Sequence, residues 1–283
     1  MDKNLMKFYF VFSIFLLIFI KTFPNIFSNI NNIFEYVIVK NSFLLEKDTN
    51  IDIKINLNKA NIIIMFDDSW SSQYEIAYRY MEKKGIVGSI SVIPSRVGEA
   101  KYMNKAQLNK IYNCGWDILN HTYNHYSFKE IDIDNQIKEI ESAGLWLNNN
   151  GFINDIKNLI YPEGEYNDQI IIELKKRGYI TARGTFEGYN EYFATDLFNV
   201  KVKNINSNIL VEEVINYIDY SIVNNKTIIL LFHKIEDRYD ESLMIYKTND
   251  FYKIIDYIDN NKDKLNIITY TNWIRISNFN NMN

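Results

Sequence analysis

The sequence predicts an α/β fold in which parallel strands and crossover helices form a closed or nearly closed barrel. From Asn61 onward, short runs rich in Ile, Val and Leu alternate with longer amphipathic segments, a rhythm typical of repeated β-α units. The alternation continues for about two hundred residues, which is long enough for a barrel. An open doubly wound sheet is the alternative, but the sequence lacks the glycine-rich phosphate loop of that class.

Eight short apolar segments, bounded by polar or turn-forming residues, are predicted to be buried strands. They are Ile62–Phe66, Gly88–Ile93, Trp116–Asn120, Lys157–Tyr161, Tyr179–Ala182, Asn199–Val202, Thr227–Phe232 and Leu265–Thr269. Six longer segments between them are predicted to be helices: Ser71–Lys84, Asn104–Asn113, Ile133–Asn150, Asp168–Arg177, Ile209–Asn224 and Asn249–Asn260. These elements define one domain at 61–275, followed by a tail at 276–283.

The N-terminal 24 residues have the pattern of a signal peptide or signal anchor. Lys3 and Lys7 precede the apolar stretch Phe8–Ile20, and no small-residue cleavage site follows it. We therefore expect an extracytoplasmic protein, membrane-anchored or secreted, with a buried core helix as the alternative. Residues 25–60 are predicted to be a stalk or edge extension containing the strands Phe34–Val39 and Ile51–Leu57.

The composition narrows the class of partner. The net charge is −4 and the basic residues form no cluster, so the sequence does not indicate a nucleic-acid-binding surface. A neutral substrate such as a sugar fits this charge better. Cys114 is the only cysteine, which excludes both a disulfide framework and a thiolate metal site.

The polar residues with metal chemistry fall directly after predicted strands. Asp67 and Asp68 follow the first strand, His121 follows the third, Tyr161–Gly164 closes the fourth and His233 follows the seventh. Because the carboxyl ends of all strands in a parallel barrel lie on one face, these residues are expected to converge there. Carboxylates and imidazoles gathered in this way are the material of a hydrolase that activates water on a metal.

Spacing suggests a division of roles within this set. His121 and His125 are four residues apart, so one helical turn would point both rings the same way, and a carboxylate would complete a facial set of three ligands. Asp67 and Asp68 alternate in direction, so one can bind metal while the other reaches its water. The alternatives are a pair of capping or hydrogen-bonded histidines around a turn and a helix N-cap formed by Asp68 or Ser69.

Four ordered motifs together resemble a known family. They are Phe66-Asp67-Asp68, His121-Thr122-Tyr123-Asn124-His125, Tyr161-Pro162-Glu163-Gly164 and Leu230-Leu231-Phe232-His233. The chain is similar, over Asn61–Trp273, to the NodB-type polysaccharide deacetylases of carbohydrate esterase family 4. The resemblance implies a distorted (β/α) barrel that removes N-acetyl, less often O-acetyl, groups from polymers such as chitin, peptidoglycan or poly-N-acetylglucosamine.

The same resemblance implies a role for each site residue. Asp68, His121 and His125 would bind one divalent metal ion, usually Zn²⁺ and in some members Co²⁺, Ni²⁺ or Mn²⁺. Asp67 would be the general base and His233 the general acid.

The resemblance also implies the substrate contacts. Tyr161, Pro162 and Glu163 would meet the substrate, with the backbone N–H of Glu163 facing the oxyanion. Leu231 would line the pocket for the acetyl methyl group.

The chain departs from the family pattern at several positions. Ile160 stands where the third motif has an arginine, and Ser69 stands where a glycine commonly follows the aspartates. Arg183, after the fifth predicted strand, is a candidate substitute for the missing arginine, with a surface or turn arginine as the alternative. The motif that tunes the acid histidine is not recognisable. Trp70 is open to two interpretations, sugar stacking and packing.

The sequence is compatible with three functions. The first is a metal-dependent deacetylase acting on an N-acetylated glycan polymer, with membrane attachment through the N-terminal segment. The second is a catalytically silent glycan-binding module of the cell envelope with the same fold. The third is hydrolysis of a non-sugar amide by the same machinery.

Overall fold

The computed structural model describes residues 55–153, 157–237 and 244–281, all within one compact unit, Lys54–Asn283. The predicted signal segment and most of the predicted stalk lie outside these residues. Within them, none of the helices combines the length and the apolar character needed to cross a membrane. Ile55–Leu57, the described end of a predicted stalk strand, instead enters a turn in which Lys59 N donates to Asn56 O at 3.0 Å.

Ten strands occur in the described ranges. They are β1 (Ala60–Phe66), β2 (Ser89–Val92), β3 (Asp117–Asn120), β4 (Asn158–Ile160), β5 (Thr181–Glu187), β6 (Val200–Asn204), β7 (Thr227–Phe232), β8 (Lys234–Ile235), β9 (Ile245–Tyr246) and β10 (Leu265–Ile267). Seven of them form a parallel sheet in the order β3-β2-β1-β7-β6-β5-β4, with β10 added beside the first half of β1. This sheet curls into a nearly closed barrel, which confirms the predicted fold class.

Seven helices and several shorter turns cover the strands in the described ranges. The helices are α1 (Arg79–Glu82), α2 (Lys105–Asn113), α3 (Ile133–Asn149), α4 (Asp168–Lys176), α5 (Val211–Val223), α6 (Thr248–Asn260) and α7 (Tyr270–Asn281). A π-helical segment, Gln73–Tyr78, precedes α1, and 3₁₀ turns occur at Pro94–Arg96 and Pro162–Gly164. The helix predicted at Ser71–Lys84 is therefore part π-helical, and α7 includes residues 276–281 of the predicted tail.

Side-chain caps explain where three of the helices begin. Asn104, Asp132 and Asn167 each accept a hydrogen bond from the backbone N–H three residues later. Such a bond satisfies one of the four N–H groups that lack a partner in the first turn of a helix. The three helices therefore start close to the predicted positions.

The core is divided by the alternation of side chains along β1. Ile62, Ile64 and Phe66 belong to the layer beneath the helices, whereas Ile63 and Met65 belong to a second cluster inside the barrel. The inner cluster also contains Leu119, Ile160, Val200, Val202, Ile229 and Leu231. Because successive strand residues point to opposite faces, the next inward position after Met65 is Asp67.

Helix α7 closes the end of the barrel at which β2 and β3 begin. Tyr270 N donates to Ser89 Oγ at 2.9 Å, and Thr271 N donates to Asp117 Oδ2 at 2.7 Å. Ser89 and Asp117 are the first residues of β2 and β3, and Trp273 fills the interior beside them. The opposite end, where the strands finish, is left for the functional site.

Candidate active site

A cavity of about 620 Å³ lies where the strands end, and it gathers the site residues predicted from sequence. Its lining includes Asp67, Asp68, His121, His125, Tyr161, Glu163 and His233. Pro162, Arg183 and Leu231 are not in the lining. Arg183 is fully buried, and Leu231 is fully buried in the inner cluster. The parallel barrel therefore brings the aspartates and all three histidines to one face.

Asp68, His121 and His125 form a cluster that fits a metal ion. Asp68 Oδ1 lies 3.4 Å from His121 Nε2 and 3.6 Å from His125 Nε2, and the three ligand atoms lie within 4.8 Å of one another. A tetrahedral ion with bonds of about 2.0 to 2.2 Å separates its ligand atoms by about 3.3 to 3.6 Å. The spacing of the carboxylate from both imidazoles matches that requirement.

A buried hydrogen bond fixes the orientation of His121. Its Nδ1–H donates to Ile160 O at 2.9 Å, since a carbonyl can only accept. This leaves Nε2 to face Asp68. A second hydrogen bond of this kind sets the tautomer and the ring direction of histidines that bind metals.

The histidine segment is a loop, so the predicted helical turn is wrong. Thr122 and His125 have φ angles of 61° and 62°, a left-handed conformation that an α-helix cannot contain. Thr122 N donates to Asn120 Oδ1 at 2.9 Å and His125 N donates to Thr122 Oγ1 at 3.2 Å. These side-chain bonds hold the backbone in a turn that points both rings toward Asp68.

Asp68 is held from its other side by Trp70. The indole Nε1–H donates to Asp68 Oδ2 at 3.0 Å. The Trp70 ring stacks on Tyr102 with centroids 4.4 Å apart, and Lys234 Nζ lies 4.4 Å from the centre of the Trp70 ring. Trp70 therefore packs among protein groups and orients a carboxylate, and it also lines the cavity, so both interpretations stay open.

Asp67 faces the barrel interior, as the alternation of β1 requires, and it meets Arg183 there. Arg183 Nη2 donates to Asp67 Oδ1 in a buried ion pair, and Ser91 Oγ donates to the same oxygen at 2.8 Å. Asp67 is 3% exposed and Arg183 is fully buried. The alternative of a surface arginine is wrong: Arg183 supplies a guanidinium to Asp67, while Ile160 is buried in the inner cluster.

The charges in the site set the direction of each pKa shift. Burial raises the pKa of Asp67, but the Arg183 guanidinium, His121 and His233 outweigh it, so the pKa lies below its usual value. Burial also raises the pKa of Asp68, and the hydrogen bond with His121 and the nearby imidazole charges lower it further than burial raises it. Both carboxyl groups are therefore ionised at neutral pH.

The two imidazoles of the cluster shift in opposite directions. Burial lowers the pKa of His121, but its bond with Asp68 and the charge of Asp67 reverse this effect, so the net shift is upward. Burial, with the neighbouring His121 charge, lowers the pKa of His125 to about 4. His125 is therefore neutral and able to donate a lone pair over most of the pH range.

The third motif forms the wall opposite the histidine loop. Tyr161 is buried and stacks on Tyr166 with centroids 4.6 Å apart. Glu163 is exposed and has a φ of 56° within the 3₁₀ turn. A Cβ placed on Gly164, whose φ is +74°, would lie 2.7 Å from Thr185 N. The turn therefore requires glycine at this position to pack against β5.

Several site residues are absent from the sequence predictions. Ser91 and Gln73 each contact the Asp67 region, through the carboxylate and the main-chain carbonyl respectively. The remaining walls of the cavity include Ile93, Arg96, Tyr102, Asn124, Thr185, Asn204 and Met244. The sequence could have indicated Ser91, because it lies with Ser89 on one face of a strand whose other face is apolar.

The fold and the cluster together define a (β/α) barrel with a site for a divalent metal at the carboxyl ends of its strands. Residues 54–182 match the family model described as polysaccharide deacetylase. This range contains both aspartates and the His121–His125 loop. It ends at the residue before Arg183 and does not reach His233.

Curated proteins with similar sequences include deacetylases. The poly-beta-1,6-N-acetyl-D-glucosamine N-deacetylase of Staphylococcus epidermidis is 29% identical over 134 residues, which cover 42% of this chain and 46% of that relative. The chain spans less than half the length of the curated relatives it matches, 42% and 46% for the first two.

Solved structures share the barrel. The Streptococcus pyogenes deacetylase PplD, in complex with acetate, has a TM-score of 0.50 and 25% identity, and covers 54% of this chain and 68% of its own. A family 4 carbohydrate esterase from Bacillus anthracis has a TM-score of 0.53 at 16% identity and covers 78% and 84%. These matches support the resemblance of the barrel domain to the NodB-type polysaccharide deacetylases of carbohydrate esterase family 4.

Proposed function

We propose that the protein is a metal-dependent deacetylase that removes N-acetyl groups from a polysaccharide containing N-acetylglucosamine. The observation that carries the proposal is the buried Asp67–Arg183 pair beside the Asp68–His121–His125 cluster, in the cavity that also contains His233. The choice of sugar is supported by the name of the staphylococcal relative.

Asp68, His121 and His125 would hold the metal, with Zn²⁺ as the first candidate and Co²⁺, Ni²⁺ or Mn²⁺ as alternatives. Their donor set of one carboxylate and two imidazoles suits any of these ions. When bound, such an ion acts as a Lewis acid that polarises the acetyl carbonyl and lowers the pKa of water. Three protein ligands leave coordination positions open for water and substrate.

Asp67 is the proposed general base. Its carboxylate is ionised because Arg183 pairs with one oxygen, and it lies beside the cluster that would activate water. It takes a proton from the attacking water as the new C–O bond forms on the acetyl carbon. Arg183 and Ser91 both donate to Oδ1, which leaves the second oxygen to receive that proton.

His233 is the proposed general acid, and Glu163 the proposed oxyanion donor. His233 lies in the same cavity at the end of β7. As the C–N bond breaks, it would donate a proton to the sugar nitrogen, because an amide anion is too basic to leave unprotonated. The backbone N–H of Glu163 would stabilise negative charge on the former carbonyl oxygen. The products are acetate and a glucosamine unit.

The catalytically silent alternative loses one of its two supports. It rested on Ile160, which left Asp67 without the arginine of the third motif, and on the absence of a recognisable motif that tunes the acid histidine. Arg183 now occupies the contact with Asp67 from a neighbouring strand. We therefore favour an enzyme over a glycan-binding module, and we retain the extracytoplasmic, membrane-anchored or secreted location as part of the proposal.

Acetate release tests the proposal directly. The purified protein is supplied with Zn²⁺, Co²⁺ or Mn²⁺ and incubated with N-acetylglucosamine oligomers, poly-N-acetylglucosamine or peptidoglycan. We expect acetate from at least one of these substrates, and we expect Asp67→Asn to lose turnover while binding the same amount of metal. Absence of acetate from all substrates with every metal contradicts the proposal, and release from a non-sugar amide alone would favour the third function.

A further inference from the structure

Gln73 makes an unusual pair of hydrogen bonds at the edge of the site. Its side chain is fully buried at the start of the π-helical segment Gln73–Tyr78. Nε2 donates to Asp67 O at 2.5 Å and to His233 O at 2.9 Å. Both hydrogens of one amide nitrogen are thus committed to two main-chain carbonyls, each belonging to a residue with a proposed proton-transfer role.

The end of the β1–β7 ladder explains why these carbonyls need a donor. The paired residues run as far as Phe66 and Phe232, and Asp67 N donates to Phe232 O at 3.0 Å in the last rung. Beyond that point the two chains separate into different loops. A buried carbonyl without a partner is costly, and the amide of Gln73 acts as one more rung between the separating chains.

Chemistry fixes which end of the amide faces the carbonyls. If the carboxamide were rotated, its oxygen would face two other oxygens, so the nitrogen must occupy the observed place. Gln73 Oε1 has no hydrogen-bond partner in the described part of the chain. Donation by Nε2 is therefore the polar contribution of this side chain.

We infer that Gln73 is a positioning residue that fixes the separation between the Asp67 and His233 side chains. The inference rests on the proposed function, because it assigns Gln73 to the same base and acid. Gln73 does not line the cavity, so it acts through the backbone of those two residues. Loss of the two bonds is expected to misplace both groups while leaving Asp68, His121 and His125 able to bind metal.

The chain offers a closely matched control in Gln136. This glutamine is also buried, its Nε2 also donates to two main-chain carbonyls (Phe128 O at 2.7 Å and Ile131 O at 3.0 Å), and its Oε1 also lacks a partner in the described ranges. Its bonds hold the loop before α3 rather than the ends of β1 and β7. Removing it should cost comparable stability without moving the base or the acid.

The test compares Gln73→Met with Gln136→Met, each measured below its own melting temperature. Methionine keeps the length of the side chain and donates no hydrogen bond. We expect Gln73→Met to lower kcat for acetate release about 10- to 100-fold, as misplacement by about 1 Å does, with KM and metal content within twofold of the parent. Gln136→Met should keep kcat within twofold. If Gln73→Met does not fold, Gln73→Asn, which keeps the donor but shortens its reach, takes its place.

A second comparison separates positioning from general destabilisation. In a His233→Ala background the acid is already missing, so Gln73→Met should lower kcat by much less than it does in the parent protein. A purely structural residue would lower kcat by the same factor in both backgrounds. Equal factors, an unchanged kcat in Gln73→Met, or an equal loss in Gln136→Met would each overturn the inference. An inactive parent protein would instead refute the proposed function.

Discussion

Replacing Arg183 by methionine tests how the site keeps its base ionised. Methionine has a similar length, fills most of the same buried space and carries no charge. Asp67 would then keep Ser91 as a hydrogen-bond donor but lose the guanidinium that opposes the effect of burial. We expect the pKa of Asp67 to rise above its usual value, because burial is the largest single influence on it.

The structure sets the size of the effect. Arg183 is fully buried and Asp67 is 3% exposed, so removal of one partner leaves a buried charge without its counterion. Such a change destabilises a protein by about 3 to 5 kcal/mol. An exposed pair would instead contribute about 0 to 1 kcal/mol. Arg177→Met is therefore the control, since Arg177 pairs with Glu173 and Glu141 and is 34% exposed.

The pH dependence of stability gives a further check on the sign. The pKa of Asp67 is depressed in the folded protein, so the ion pair contributes fully above the unfolded pKa of 3.8 and its contribution is lost as pH falls through the folded pKa. The difference in unfolding free energy between the parent and Arg183→Met should thus be largest near neutral pH and shrink in acid.

Two measurements decide the matter: urea unfolding across pH, and the pH profile of kcat/KM for acetate release. The acidic limb of that profile should move to higher pH in Arg183→Met, since the base must lose its proton to act. The reasoning is refuted if Arg183→Met unfolds at the parent's urea concentration with an unmoved acidic limb. Loss of stability equal to that of Arg177→Met would refute it as well.

Three further predictions concern the metal and the third motif. His121→Ala should bind Zn²⁺ at least about 10-fold more weakly than the parent, as measured by calorimetry. An unchanged Zn²⁺ affinity would show that His121 is not a ligand. Binding of Zn²⁺ should release protons, and its affinity should fall by up to about tenfold per pH unit below the raised pKa of His121, because a proton on Nε2 competes with the metal. Calorimetry in buffers of different ionisation enthalpy counts the released protons. A pH-independent affinity would contradict the assignment of His121 as a ligand. Gly164→Ala should lower both the melting temperature and the rate of acetate release, because a Cβ would lie 2.7 Å from Thr185 N. A melting temperature equal to that of the parent would show that the turn can shift.

Much of the fold and site could be predicted from sequence because the signal was local. Apolar runs marked the strands, and Asp67 and His233 followed two of them directly. In a parallel barrel this order is enough to bring distant residues to one face. The gathering of candidate metal ligands at the strand ends was therefore predictable without knowing any loop conformation.

The features that the sequence could not predict depend on the direction in which a side chain points, not on its position along the chain. Whether Arg183 faced inward depended on the phase of β5, which a short run does not fix. The His121–His125 spacing suggested a helical turn, but hydrogen bonds of the Asn120 and Thr122 side chains stabilise a left-handed loop instead. Leu231 illustrates the same limit, since its phase on β7 places it in the inner cluster and not against the cavity.

The left-handed backbone of the two loops that contain Asp68 and His125 is expected to link metal binding to the stability of the domain. Asp68, Ser69, Thr122 and His125 all have positive φ angles, and each such residue costs about 1 to 3 kcal/mol. The two loops thus carry backbone strain within a well-packed barrel, and an ion that binds only the native state would stabilise the domain by mass action. If the ion stabilises the strained loops, its removal should make them open more readily and be cut faster by proteases. Limited proteolysis with and without chelator would locate the cuts, and cleavage that a chelator does not change would show that no ion stabilises these loops.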